Sequence, residues 1–485
     1  MVKPPATSRA IQREKLVVAH VALVAVASAW LLGGIGPRLE WVIAAITAPA
    51  YYFLVTEARD RLRHHDRAGF RRLLRWTAPL LGLALIVIIS ALNPSHRPAF
   101  LYNTYVLRPV AHVEWLPASA LPLASLRVLA CFGGLAATGL TLAFCLYSRR
   151  LLRSLIILLA FNALALAVLG TLQRQAHAPG PYFGFVTSDN PAWFATFLYH
   201  NHWGAFAVLS TAATLGLVFH SLRYPPDNGW FHGPGPLLTL TAILVAATAP
   251  LSSSRSSTVL MVLLAFAAGA ASLRHHFRTR HRNRHQPLRA SLIVGLFALF
   301  ATLGGLVFFQ SREVIQQRFA QTLEQLSSLR AASTGYTRLD LYSDTWRMAA
   351  DRPAYGWGLD SYGPIFLNYS RFRPGPDRLM NTFEDAHSDW LQSLAEIGFV
   401  GTSMLLLCAL VPLAETFRPR RLTALPGGLF TGCALIALYA WVEFPFANPA
   451  VVALWWICFF AAIRTLQLSP AVSARSRAAC SPSSS

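Results

Sequence analysis

Three residues have the type and setting for chemistry. His387 stands at the head of HSDWLQSLAEIGFVG, where a polar passage gives way to an apolar run. An imidazole at such a boundary can accept a proton near neutral pH. At about 100° per residue His387, Leu391, Leu394 and Gly398 would share one helix face, which points the histidine into a helical bundle. Arg338 opens RLDLYSDTWRMAAD, with Tyr342 and Trp346 following it on one face of an amphipathic helix. Arg255 sits in the turn SSSRSS between two apolar runs, where small hydroxyl residues leave room for a phosphate. Each has a plainer reading on its own: a snorkelling arginine for Arg255, a solvated helix-end charge for Arg338, a capping or hydrogen-bonded histidine for His387.

Other polar residues give smaller signals. Arg174, in TLQRQ just outside an apolar run, could meet a phosphate or a lipid headgroup. His200 and His202 flank Asn201 in YHNHWGAF, a spacing that does not make a helical metal pair. Glu443, near the end of a late apolar run, could pair with an arginine. Glu396 lies nearly opposite His387 on the expected helix and suits a structural pairing better than a shared proton. Pro353 should stop the helix led by Arg338, and Gly356 and Gly358 permit a tight turn after it.

The elements that must position these groups are membrane helices. The chain has 485 residues, of which 54% are hydrophobic and 13% charged, against about 25% charged in soluble domains. Apolar runs of spanning length fall near 16–35, 41–56, 76–93, 123–147, 154–172, 202–220, 236–252, 257–273, 291–310, 390–414, 425–442 and 450–467. The expected fold is therefore an all-α integral membrane protein of about 12 transmembrane helices. Residues 1–310 would hold the first nine spans, 311–389 one large loop and 390–467 the last three spans, with 468–485 a disordered tail. The formal charge of +21 would suggest nucleic acid in a soluble protein. Here the excess sits in short loops such as 57–75, 148–153, 274–290 and 415–424, and no basic stretch is interleaved with aromatics on a soluble fold. Those loops and both termini are expected on the cytoplasmic side. Between residues 311 and 385 arginines and acids are balanced, so arginines on that side are more apt to have a task. The histidines of loop 274–290 are interleaved with arginines that would repel a metal cation, and five of the six cysteines lie in apolar runs as small core residues. The first apolar run, lacking a clear cleavage site, reads as a retained helix.

A transporter or flippase of lipid-linked sugars is a different class with the same helix content, but no repeated half or mid-span polar cluster is evident. In order, YHNHWGAF, SSSRSS, RLDLYSDTWRMAADRPAYGWGLDSY and AHSDWLQSLAEIGFVG resemble the O-antigen ligase superfamily, which includes Wzy-type polymerases. Arg352, Pro353, Gly356 and Gly358 fit its RP-x-x-G-x-G piece, and His387, Leu391, Glu396, Gly398 and Gly401 fit its histidine block. The resemblance covers about Tyr199 to Gly401. It implies a glycosyltransferase of the bacterial inner membrane, working on the periplasmic side without metal or other cofactor. The donor would be a glycan on undecaprenyl diphosphate, and the acceptor a hydroxyl of lipid A–core or of a growing glycan, among membrane lipids and with no nucleic acid. By the same resemblance Arg255 and Arg338 would clamp the diphosphate and His387 would serve as base, with Arg174, His200 and Tyr342 as further substrate contacts. Ligase is the first expectation and Wzy-type polymerase the close alternative.

Overall fold

The computed structural model describes residues 8–101, 104–188, 190–225, 230–280, 337–371, 383–416 and 422–468. The helices in chain order are α1 (Ser8–Trp30), α2 (Pro37–Thr47), α3 (Pro49–Arg63), α4 (Arg67–Leu92), α5 (Pro122–Cys145), α6 (Arg149–Gln175), α7 (His200–Arg223), α8 (Gly235–Leu251) and α9 (Arg255–Arg280). After them come α10 (Arg338–Asp351), α11 (Tyr362–Phe366), α12 (Asp389–Thr416), α13 (Ala424–Tyr439) and α14 (Pro449–Leu468). Among the described residues seven stretches are long and apolar enough to cross a membrane: α2 with α3 as one rod, α4, α5, α6, α7, α12 and α14. Three shorter apolar helices, α8, the first part of α9 and α13, accompany them. The expected span 41–56 is divided at Pro49, and the expected span 291–310 lies outside the described residues.

Helix α5, α7 and α14 form the interior. Lipid offers apolar side chains nothing to gain by leaving it, so membrane helices pack where small residues let backbones approach. In α5 the run from Cys131 to Cys145 is rich in glycine, alanine and threonine, and nearly all of it is buried. Helix α14 lies along α5, and α7 runs between α8 and α13. At one end of the bundle, buried charges are paired, as a low-dielectric setting requires. Glu57 accepts from Arg61 at 2.8 Å and from the Tyr147 hydroxyl at 2.8 Å, while Arg13 meets Asp60 at 2.6 Å.

A small polar cap closes the other end. The stretch 94–122, expected as a plain connection, contains an antiparallel hairpin of β1 (His96–Leu101) and β2 (Thr104–Pro109), with His96 opposite Pro109. The purely helical expectation is corrected there: Pro98 and Pro109 disguise the segment as loop, although Tyr105 and Val106 favour strand. Helix α10 starts where Thr337 and Asp340 cap each other reciprocally. Its inner face, Leu341, Met348 and Ala349, packs with Tyr362, Ile365 and Phe366 into a core separate from that of the bundle.

The cap is fastened to the bundle by backbone. The turn after α10 lies against α12, where Phe399 donates to the Pro353 carbonyl at 2.8 Å, Val400 to Ala354 at 3.1 Å, Trp357 to Ala395 at 3.0 Å and Gly358 to Glu396 at 2.7 Å. These donors and acceptors are available because α12 breaks at Gly398 (φ 63°, ψ −173°). A Cβ on Gly398 would stand 2.4 Å from the Ala354 carbonyl carbon, and one on Gly356 2.4 Å from that of Glu396. The Glu396 carboxylate accepts from the backbone N–H of Asp360 at 3.1 Å and of Tyr362 at 3.3 Å, the structural role its place in sequence suggested. Arg127 adds an ionic tie between Asp360 of the cap and Glu40 of α2. Gly398→Ala is expected to destabilise the protein by about 1–3 kcal/mol from backbone strain alone. Gly427→Ala, in α13 with nothing within 4 Å of the new carbon, should gain about 0.5–1 kcal/mol from helix propensity. Thermal unfolding of both variants in detergent checks the contrast.

Candidate active site

At the junction of cap and bundle a single carboxylate holds two of the expected residues. Glu443 follows the end of α13 and is 1% exposed. Its Oε1 accepts from Arg338 Nη2 at 2.7 Å, and its Oε2 lies 3.5 Å from His387 Nδ1, a close approach in which neither of the two buried atoms has a hydrogen-bond partner. Arg338 also donates through Nη1 to the Val442 carbonyl at 3.2 Å, yet its side chain is 55% exposed. Of its five N–H donors, several therefore stay available on the open side. Burial pushes the Glu443 carboxyl up, but His387 and Arg338 outweigh it and hold the group below its ordinary value.

The expectation that His387 sits on the helix face of Leu391 and Gly398 is corrected. Helix α12 begins at Asp389, and His387 precedes it with φ 50°, in the left-handed region that costs an L residue energy. That backbone, rather than helical periodicity, aims the ring. Tyr342 donates from its hydroxyl to the His387 carbonyl at 3.1 Å, so α10 braces the strained residue directly. The imidazole stands edge-on to Phe444, ring centres 4.8 Å apart. Asp389 locks the opposite strand of contacts, donating its N–H to the Glu443 carbonyl at 3.2 Å and accepting from Phe446 N–H at 2.8 Å.

Phe444 joins this pair to the head of α7. Tyr199 stacks on it at 5.2 Å and 10°, and His202 Nε2 donates to its carbonyl at 3.1 Å. The Asn201 amide donates to the Tyr199 hydroxyl at 2.7 Å, and its Oδ1 accepts from Ser254 Oγ at 2.5 Å. With its one proton given to Asn201, Ser254 Oγ accepts from the Ser257 hydroxyl 2.7 Å away. A polar chain thus runs from the neighbourhood of Glu443 to the SSSRSS turn. Gly204 lets that turn approach: a Cβ there would lie 1.7 Å from Ser257 Oγ. Arg255 is the first residue of α9 and is exposed, and Arg174 reaches the same turn through Ser253 Oγ at 3.3 Å.

The expected residues therefore fall into two groups. Arg338, Tyr342 and His387 meet around Glu443, while Arg255 and Arg174 gather at the serine turn. His200 departs from both, its Nδ1 facing the Ala192 carbonyl at 3.1 Å. The partnership of Glu443 with His387 is absent from the sequence reading because the two lie far apart in the chain. Phe444 and Tyr199 carried no signal beyond being aromatic. Asp385, two residues before His387, is pushed up to about 6 by burial, despite Gln392 and His387 pulling the other way. A carboxyl whose folded value exceeds its unfolded one favours the fold at low pH and loses that advantage as pH climbs through the folded value. Asp385→Asn should therefore raise the melting temperature at pH 8 and leave it nearly unchanged at pH 3.5, read by unfolding scans at the two pH values.

Comparison with curated proteins found no match. Residues 240–406, which carry Arg255, Arg338, Tyr342 and His387, match the family model Wzy_C, described as O-antigen ligase.

Proposed function

We propose that the chain is a glycosyltransferase that moves a glycan from a polyprenyl diphosphate, undecaprenyl diphosphate in particular, to an acceptor hydroxyl. The reading assigns it to the bacterial inner membrane with both termini cytoplasmic and residues 311–389 forming a periplasmic loop. Among such enzymes we infer an O-antigen ligase, which joins O-antigen to lipid A–core. The observation that carries the reading is the convergence of Arg338 and His387 on one buried carboxylate, the two residues lying inside the matching segment and Glu443 outside it.

The chemistry follows from that convergence. The acceptor oxygen attacks the anomeric carbon, the bond from that carbon to the diphosphate oxygen breaks, and its electron pair leaves with the diphosphate. The leaving group gains negative charge, which guanidinium donors stabilise more strongly in the transition state than in the ground state. Arg338 offers its open side, and Arg255 a second cation at the serine turn. The acceptor proton goes to His387. With Nδ1 turned to Glu443, the ring presents Nε2 to substrate, and the carboxylate steadies the imidazolium that forms. One direct displacement of this kind inverts the anomeric centre and uses protein groups alone.

A deletion strain complemented with wild type or variants, at matched membrane levels, tests the reading. The deletion should accumulate full-length carrier-linked polymer and leave lipid A–core bare on gels, and wild type should restore the capped lipid. Accumulation of single repeat units would make the protein a polymerase instead. With purified protein, His387→Ala should slow transfer by about 10²–10⁴-fold, the usual worth of a positioned base. Full activity in that variant would remove the histidine from the mechanism. Arg338→Lys should also lose activity, because an ammonium keeps the charge and lacks the fork.

A further inference from the structure

A second polar site lies in the cap, away from Glu443. A cavity of about 350 Å³ opens between the segment 110–118 and the turn that follows α10, within the roughly 300–1,000 Å³ range of small-ligand sites. Its lining includes His112, Glu114, Leu116, Asp351, Arg352 and Tyr355. One wall is built firmly: the Asn93 amide donates to the Val113 carbonyl at 2.9 Å and to that of Pro117 at 3.2 Å, and accepts from Val113 N–H at 2.9 Å. The other wall is the turn whose backbone is bonded to α12.

Arg352 dominates the site. Its guanidinium lies over the Trp357 ring at 4.0 Å, and its Nη2 donates to His112 Nε2 at 3.3 Å. His112 can accept there because its Nδ1 donates to the Val110 carbonyl at 3.0 Å. His112 takes one donor of the fork and the Trp357 ring lies under its face, which leaves further N–H donors for a ligand. Two carboxylates line the cavity with this one arginine: Glu114 on the opposite wall, and Asp351 on the arginine's own wall, where it accepts from the Tyr369 hydroxyl. Their excess over it disfavours a phosphate, and Arg352 disfavours a metal cation. Interleaved donors and acceptors beside Leu116 and Tyr355 suit a ring of hydroxyls with an apolar face.

We propose that this cavity binds a sugar residue of the glycan substrate, at a distance from the bond being made. The inference rests on the transfer reading above. The turn that forms the cavity contacts α12 at Glu396, about 10 Å along the helix from Asp389, which leaves a few sugar residues between the two sites. The saccharide could come from the donor polymer or from the acceptor, and the chemistry is the same for both.

A photoreactive benzoylphenylalanine placed at Leu116, and separately at Tyr342, tests this in whole cells. Ultraviolet light should attach glycan to the protein at both positions, seen as glycan-staining bands of raised mass. The Leu116 adduct should vanish either in cells lacking carrier-linked polymer or in cells with a truncated acceptor core, which names the source. Arg352→Gln should lower the Leu116 adduct about tenfold, the worth of one charge-assisted hydrogen bond, and spare the adduct at Tyr342. If that variant fails to fold, Glu114→Gln should give the same selective loss. Glycan at Tyr342 with none at Leu116, or a Leu116 adduct indifferent to both variants, overturns the cavity and leaves the transfer reading standing. Absence of glycan at both positions overturns the two together.

Discussion

A carboxylate that is almost wholly buried must find cations or lose its charge. Glu443 finds one in Arg338, from the head of α10, and the His387 imidazole, from the approach to α12, stands 3.5 Å from its other oxygen. They come from two separate elements, so satisfying one side chain constrains the position of both. Around it, the Glu443 carbonyl accepts from Asp389, the next residue's ring carries His387 and Tyr199, and its carbonyl takes His202. The short connection between α13 and α14 thereby becomes the floor of the site.

Two residues of the site hold a backbone conformation that L residues seldom adopt. His387 and Ser253 both hold positive φ, one beside the buried carboxylate and one beside Arg255. Each is braced by a hydroxyl or guanidinium from another helix, Tyr342 for His387 and Arg174 for Ser253. Such backbone persists only where the surroundings over-determine it, and it is commonly found at functional sites. The glycine break in α12 serves a different end: it exposes backbone groups through which the cap is bonded to the bundle, and so sets where α10 places Arg338.

Much of this was legible in the sequence, and unevenly. Apolar runs located α4 to α8 and α12 to α14 because spanning length and composition are local properties. The turn Arg352–Gly358 and the glycines of α12 stood out because positive φ and close backbone approach demand particular residues. The hairpin His96–Pro109 escaped because its prolines mimic a loop. The placing of His387 escaped because periodicity describes a helix interior, and the residue lies two positions outside one. Glu443 was visible as an acid in need of a cation, and Arg338 as a cation in an unusual place. Their union with His387 depends on tertiary packing that no spacing encodes. For Arg255 and Arg174, closeness in space follows from the serine turn, whose hydroxyls find Asn201 rather than each other alone.

The account stands or falls on whether Glu443 acts through its partners. The most direct measurement is the single-turnover transfer rate of purified protein through a double-mutant cycle of Glu443→Gln and Arg338→Gln. A shared unit predicts that Glu443→Gln slows the wild type far more than it slows Arg338→Gln, with a coupling of about 0.5–3 kcal/mol. Equal slowing in the two backgrounds would show the carboxylate and the arginine acting independently, and would contradict the account.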